Sequence, residues 1–433
     1  MKIAMVGQKG MPTLWGGIER HVEELSVRLA KQGHTVFAFA RKWYSGGSLP
    51  LSQRGTKGGF CKNKKNPSPR SGGVLRTPRS LGERVKKGEG RKYRGVNIVF
   101  APTIHTKHLD AIIHSLLSTF KAIRLGVDVI HYHGVGPSLV AWIPRVFAPR
   151  IRVLSTFHCI DRKHKKWGFA ARLFLRLAEW TSCKFAHQTI TVSDTLRQYC
   201  DEAYDTECAH IPNGVNIVET QNFASLQKTR NPASLRKFGL QKNKYLGFFS
   251  RLVPHKNAHL LIAAWKNISK NNPGLTRGMK LAIVGDSSFT DKYVNELKEM
   301  TRGDKSIVMT GYQSGSALRQ LFAGAKLIAH PSESEGMSIV VLEAMSYGKT
   351  VLAADIPENK EALGNCGFYC RRNSLQDLEK KLTYLLKNPR VLKSMGARAQ
   401  KRVRENFDWD KITEQVEDVY QTKDHAELAI AKT

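Results

Sequence analysis

Lys2-Ile-Ala-Met-Val6 leads into Gly7-Gln-Lys-Gly-Met-Pro-Thr-Leu-Trp-Gly16-Gly17, after which Ile18, Val22, Leu25 and Leu29 recur at helical spacing as far as Gly33. An apolar run, a glycine-rich turn and an amphipathic helix over Gly17–Lys31 are the opening of a parallel α/β domain. Outward from it the same rhythm continues. Strands are predicted at Thr35–Ala40, Val96–Ala101, Asp128–His133, Arg152–Phe157 and Gln188–Val192, with helices between them. Ile211-Pro-Asn-Gly-Val-Asn216 reads as a turn-forming linker. A second set of strands follows at Lys244–Ser250, Lys280–Val284, Ser306–Thr310, Lys326–Ala329 and Lys349–Ala353. The expectation is an α/β protein of two doubly wound domains facing a cleft, over residues 1–212 and 213–407. A last helix begins at Asp408 with no strand after it, so residues 408–433 are expected to pack back across the domains.

The 433 residues suit two or three domains, and 41% hydrophobic residues are enough for real cores. No apolar run reaches the roughly 20 residues of a membrane span, since Pro144 and Arg145 interrupt Leu139–Phe147. The first residues do not resemble a signal peptide. Seven scattered cysteines, with Cys200/Cys208 and Cys366/Cys370 the only close pairs, read as reduced thiols of a cytoplasmic protein. The formal net charge of +33 is the outlier. Residues 54–94 alone carry fourteen cations against Glu83 and Glu89, in a Gly-, Ser-, Pro- and Asn-rich stretch without apolar period. This reads as a basic, disordered insertion at 45–94 within the first domain.

Four segments fall at the strand ends, where doubly wound sheets bind ligands. Glu335-Gly-Met-Ser-Ile-Val-Val-Leu-Glu343 places two carboxylates around a helix beginning near Ser338. Free N–H groups and the positive helix end suit a diphosphate, and the carboxylates suit vicinal hydroxyls. Together they suggest a nucleotide sugar. Ser250-Arg251-Leu-Val-Pro-His-Lys256 offers two cations that can converge on a diphosphate, Arg251 as a fork and Lys256 as a point charge. Gly16-Gly17 opens a helix without forming G-x-G-x-x-G, and no acidic residue ends the second strand, which argues against a nicotinamide cofactor. His158, in Ser155-Thr-Phe-His158-Cys-Ile-Asp161, is a candidate acid, base or hydrogen-bond donor. His131 and His133 have the alternate spacing of a metal pair, but no third ligand is evident in the sequence. A structural or acceptor-pocket role is favoured for them.

The order Gly16-Gly17, His158, Ile211-Pro-Asn-Gly214, Arg251…Lys256 and Glu335-x7-Glu343 resembles the retaining glycosyltransferases of family four. These have the GT-B fold of two Rossmann-like domains. The likeness covers the chain apart from the basic insertion. It is most similar to bacterial rhamnosyltransferase-like enzymes of cell-surface polysaccharides, through Thr103-Ile-His-Thr-Lys-His-Leu-Asp110 and Asp355-Ile-Pro-Glu-Asn359. The resemblance implies transfer of a hexose or deoxyhexose from a nucleotide-diphosphate sugar, with retention and without cofactor or metal. Arg251 and Lys256 would hold the diphosphate; Glu335, Gly336, Met337 and Ser338 the donor sugar; Glu343 the ribose. Gly16 and Gly17 would line the phosphate side, and His158 would contact the sugar at the reacting centre. Glu-Gly-Met-Ser departs from the aromatic residue and second glycine of many members, and Cys159 stands where glycine is frequent. Asp408-Trp-Asp410 mimics the metal-binding D-x-D of other glycosyltransferases, but opens a helix, where Asp408 is better read as its N-cap.

A saccharide or lipid-linked acceptor would put the protein at the inner face of the plasma membrane. His164-Lys-Lys-Trp167 through Trp180 mixes cations with aromatics and reads either as a helix on an anionic bilayer or as a core-facing one. A nucleic-acid-binding protein is favoured by charge alone and lacks any recognised motif. An epimerase-type or non-catalytic relative would not need Arg251, Lys256, Glu335 and Glu343 together.

Overall fold

The computed structural model describes residues 1–13, 16–41, 44, 91–103, 109–163, 168–218, 232–288 and 290–422. Most of the basic insertion and His164–Trp167 lie outside them.

The first sheet contains β1 (Lys2–Val6), β2 (Thr35–Arg41), β3 (Arg91–Tyr93), β4 (Val96–Ala101), β5 (Val129–His133), β6 (Arg152–Phe157), β7 (Gln188–Thr191) and β8 (Cys208–His210). Their order is β3-β4-β2-β1-β5-β6-β7-β8, parallel except that β3 runs antiparallel to β4. The second sheet contains β9 (Tyr245–Phe249), β10 (Lys280–Val284), β11 (Ile307–Gly311), β12 (Leu327–His330), β13 (Val351–Ala354) and β14 (Phe368–Cys370). It is parallel throughout, in the order β11-β10-β9-β12-β13-β14. Every residue of β5 and of β9 is buried, the pattern of strands covered by helices on both faces. Two doubly wound α/β domains are therefore present.

One correction concerns the basic insertion. Its last residues, Arg91–Tyr93, are an edge strand rather than disordered chain. Tyr93 faces Val96 across a tight turn in which Arg94 and Gly95 take positive φ. The Tyr93 hydroxyl donates to Glu23 at 3.0 Å.

The first sheet is covered by two groups of helices. Gly17–Lys31 packs on one face together with the terminal helix Trp409–Gln421, whose Trp409, Ile412, Val416 and Tyr420 share a core with Ile3, Val22 and Leu29. Asp408 caps that terminal helix, accepting from the Asp410 amide at 3.0 Å, as its sequence suggested. The opposite face is covered by Leu109–Arg124, Trp142–Phe147 and Phe169–Lys184. The last of these buries Leu175, Ala178 and Cys183, as the core-facing reading expects, and leaves Phe169, Leu173, Leu177 and Trp180 exposed on its other face. No helix among the described residues is long and apolar enough to cross a membrane.

The domains meet along one continuous apolar cluster, from Val135 and Phe157 through Val215 to Phe249, Met337 and Val341. The two chain crossings lie side by side, with the Val215 amide donating to the Phe407 carbonyl at 2.8 Å.

Candidate active site

Both sheets change winding direction at their first strand. In the first sheet β1 lies between β2 and β5, and in the second β9 lies between β10 and β12. The crevices at these switch points open beyond the carboxyl ends of the strands. The predicted segments occupy those ends: Gly7–Gly17 follows β1, His158 follows β6, Arg251–Lys256 follows β9 and Glu335–Ser338 follows β12.

On the second domain, Ser338 is the N-cap of the helix Ile339–Ser346, its hydroxyl accepting from the Val341 amide at 3.4 Å. Glu335, three residues earlier, is buried. One of its oxygens receives Lys256 Nζ at 2.5 Å and His330 Nε2 at 2.6 Å. Burial alone would raise this carboxyl's pKa. The Lys256 charge and His330 outweigh it and hold Glu335 well below the usual carboxylate range. It is therefore ionised although buried. Gly336 could be no other residue, because a Cβ there would meet the His158 carbonyl oxygen at 1.7 Å. That contact sets the Glu335 loop directly against the end of β6.

Arg251 is exposed, and among the described residues no hydrogen bond or ion pair engages its side chain. Burial lowers the pKa of Lys9 in the first domain; Glu19 opposes that shift, and the charges of Arg41 and then Arg251 add to it. Lys9 was passed over in the sequence because the β1 loop was read through its glycines. Its neighbour Gly16 has φ 109°, and a Cβ there would strike the Glu19 carboxylate at 1.8 Å. Gly17 approaches Ile339 of the second domain, its Cβ position lying 3.8 Å from Cδ1. Glu343 lies one helical turn further in. Burial raises its pKa, and Arg20, 3.6 Å away from the first domain's helix, pulls against that rise. Arg20 also went unnoticed, since helix Gly17–Lys31 was read for its apolar face alone.

His158 is 8% exposed and does not stand alone. Its Nε2 lies 3.5 Å from His133 Nδ1, and His21 packs edge-on to it with ring centroids 4.8 Å apart. No third companion for His133 is evident from sequence spacing alone. His21 supplies one, from a helix more than a hundred residues away. Burial lowers the pKa of all three rings, so they are neutral imidazoles at pH 7. His131 points elsewhere, bonded to the Tyr420 hydroxyl and to Thr156 Oγ1, each at 2.7 Å, and is structural. Asp161 pairs with the Cys159 thiol at 3.5 Å. Asn213 of the linker joins the two domains here. It accepts from His21 at 2.9 Å and donates to the Met337 carbonyl at 2.9 Å.

Residues 15–219 match the model of the Glycosyltransferase Family 4 domain, and residues 231–402 that of Glycosyl transferases group 1. The chain is a GT-B glycosyltransferase. Among curated relatives, this glycosyltransferase is 25% identical to the glycogen synthase of Mycobacterium tuberculosis, over 97% of its own length and 94% of that enzyme's. It is 24% identical to the UDP-Gal:alpha-D-GlcNAc-diphosphoundecaprenol alpha-1,3-galactosyltransferase of Escherichia coli, over 75% of its length and 84% of that enzyme's. Among solved structures, HepE of Anabaena in complex with UDP-glucose superposes with TM-score 0.68 at 20% identity, covering 97% of this chain and 99% of that one. The glycosyltransferase thus brings Arg251, Lys256, Glu335 and Glu343 from the second domain, and Lys9, Arg20 and three packed imidazoles from the first.

Proposed function

We propose that the protein transfers a hexose or deoxyhexose, with retention and without a divalent ion, from a nucleotide-diphosphate sugar to a saccharide or lipid-linked saccharide in cell-surface polysaccharide assembly. The observation that carries this reading is Glu335, ionised and buried beside a helix start by Lys256 and His330. An acceptor-only group of this kind suits sugar hydroxyls. Lys256 has three N–H donors, so pairing with Glu335 leaves two for a phosphate oxygen. Arg251 and Lys9 bring further cations to the same cleft from opposite domains.

In the proposed reaction the anomeric C–O bond to the diphosphate breaks and the acceptor oxygen bonds to the same face of the sugar. The acceptor's proton passes to the departing phosphate oxygen. Lys256, Arg251 and the amides at Gly336, Met337 and Ser338 oppose the charge that develops on the leaving group. Glu343 holds the ribose, Gly16 and Gly17 let the phosphates approach, and the neutral His158 exchanges a hydrogen bond with the sugar. A uridine nucleotide is the first donor to try, because two of the relatives named above carry UDP-sugars in their descriptions.

The test is melting temperature against UDP-, GDP-, ADP- and dTDP-sugars, with Arg251→Ala alongside. A donor-specific rise that Arg251→Ala abolishes is expected. No shift with any donor at millimolar concentration would favour a non-catalytic relative. Turnover should persist in EDTA; loss restored by Mn²⁺ would overturn the metal-free step.

A lipid-linked acceptor is favoured by one surface. Among the described residues, ten of the thirteen exposed large hydrophobics lie on or beside the three helices of one face of the first domain, Trp142, Phe147, Phe169 and Trp180 among them. Lys121, Arg124, Arg145, Arg150, Arg172, Arg176 and Lys184 are exposed there as well. Cations around aromatics suit an anionic bilayer, at about 1 kcal/mol per cation near the surface, which supports attachment to the inner face of the plasma membrane. Flotation with anionic but not neutral vesicles, lost in Phe169→Glu/Leu173→Glu, is expected; equal binding to both would count against it.

A further inference from the structure

Three imidazoles converge at the wall of the cleft, each buried: His21, His133 and His158 are 2%, 1% and 8% exposed. One ring nitrogen from each lies within 4.8 Å of the others. Their protons can be placed by their partners. Asn213 donates its amide N–H to the Met337 carbonyl, so its Oδ1 is the atom facing His21. His21 must therefore carry its proton on Nδ1, which leaves a lone pair on Nε2. That nitrogen is buried without a hydrogen-bonding partner in the structure. The thioether of Met5, 3.4 Å from His133 Nε2, can only accept, so the His133 proton sits there and Nδ1 presents a second lone pair. His158 Nε2 stands 3.5 Å from that Nδ1. A single proton on His158 can serve one of the two lone pairs but not both.

We propose that His21 Nε2, His133 Nδ1 and His158 Nε2 form a three-imidazole site for a borderline divalent ion of the zinc class. Neutral nitrogen donors in a compact buried set are the ligands such an ion selects. Two nitrogens about 2.0–2.1 Å from a tetrahedral ion stand roughly 3.4 Å apart, close to the 3.5 Å between His133 and His158. His21, on its helix, has to close from within 4.8 Å to roughly 3.4 Å, a shift of up to about 1.4 Å. Asn213 fixes the tautomer and direction of His21, as outer-sphere partners of metal-bound histidines do. Transfer itself needs no ion. An ion bound here takes His158 away from the donor sugar and so inhibits, a consequence that rests on the donor reading above, whereas the binding does not.

Titration of the untagged, chelator-treated full-length chain with Co²⁺ tests the site. The expected result is one ion per chain with intense four-coordinate visible absorption, displaced by Zn²⁺, and a melting temperature that rises with Zn²⁺. His21→Gln and His133→Gln should abolish that spectrum, Asn213→Ala should weaken binding about tenfold, and His131→Gln should leave it intact. A weak six-coordinate spectrum, or binding indifferent to His21→Gln, would overturn the proposal. Should those variants fail to fold, X-ray absorption on the Zn²⁺-loaded wild-type chain still decides, since three imidazoles are required and fewer refute it. Zn²⁺ binding with donor affinity unchanged would leave the site standing and remove His158 from the donor sugar.

Discussion

The two switch-point crevices face one another but are furnished in opposite ways. The second domain brings charge: a carboxylate clamped by a lysine and a histidine, with exposed Arg251 on the loop that follows β9. The first domain brings neutral rings, three buried imidazoles whose protonation burial has suppressed, bounded by glycines. Burying a lone charge costs several kcal/mol, so the charged side exists only as a preassembled pair. Imidazoles carry no such cost and can be packed several together, exchanging hydrogen bonds without altering the field. On the function proposed above, the second domain would meet the leaving group and the first would orient the sugar.

That division can be broken most severely at Lys256. Lys256→Met leaves Glu335 buried with only His330, and loss of one preorganised donor should lower kcat/KM about a hundred- to a thousand-fold. Removing one partner of a buried pair should also cost about 3–5 kcal/mol of stability, read as a lower denaturant midpoint. Lys256→Met with near-normal turnover would dissolve the distinction between the two sides. Gly336→Ala is next: the new methyl must displace the His158 carbonyl or the Glu335 loop. Misplacement by an ångström should cost up to about a hundredfold in kcat, with a smaller loss of stability.

Glu343 sharpens the comparison through pH. Its pKa is raised in the fold, so the ionised carboxylate destabilises the ligand-free chain above the ordinary carboxylate range, and that cost is relieved as pH falls. Glu343→Gln should therefore melt higher than wild type at pH 7.5, with the gain shrinking on acidification. Donor affinity should move the other way, declining in the wild type as pH drops through the raised pKa and staying flat in Glu343→Gln. Calorimetric titration at pH 5 and 7.5 measures both proteins. Arg20→Gln should have the smallest effect, a few-fold loss of donor affinity with its pH dependence displaced upward, because the ion pair it breaks is long and partly exposed.

Much of this arrangement was legible from the chain. Buried parallel strands such as Val129–His133 and Tyr245–Phe249 announce themselves as apolar runs, and the strand-end position of Arg251 and Glu335 follows from them. What escaped was of two kinds. Arg91–Tyr93, Cys208–His210 and Phe368–Cys370 are three-residue edge strands whose pairing comes from the neighbouring strand, with no pattern of their own. Lys9, Arg20 and His21 lie in segments already explained by glycines and an apolar helical face. Their functional partners sit on distant chain segments. Only packing reveals that His21 meets His158, or that Lys256, expected to await a phosphate, already holds Glu335.

The terminal helix carries a consequence for synthesis. His34, Arg28, Arg152 and His131 of the first domain all bond residues between Asp410 and Tyr420. A ribosome that has released the whole first sheet has thus made a domain with one face only partly covered by Gly17–Lys31, and the rest of the cover comes last. The nascent first domain must wait through the translation of the entire second domain before Trp409 can seal Gly214. Chains cut short by only a few dozen residues would therefore expose apolar surface at their beginning, not at their broken end.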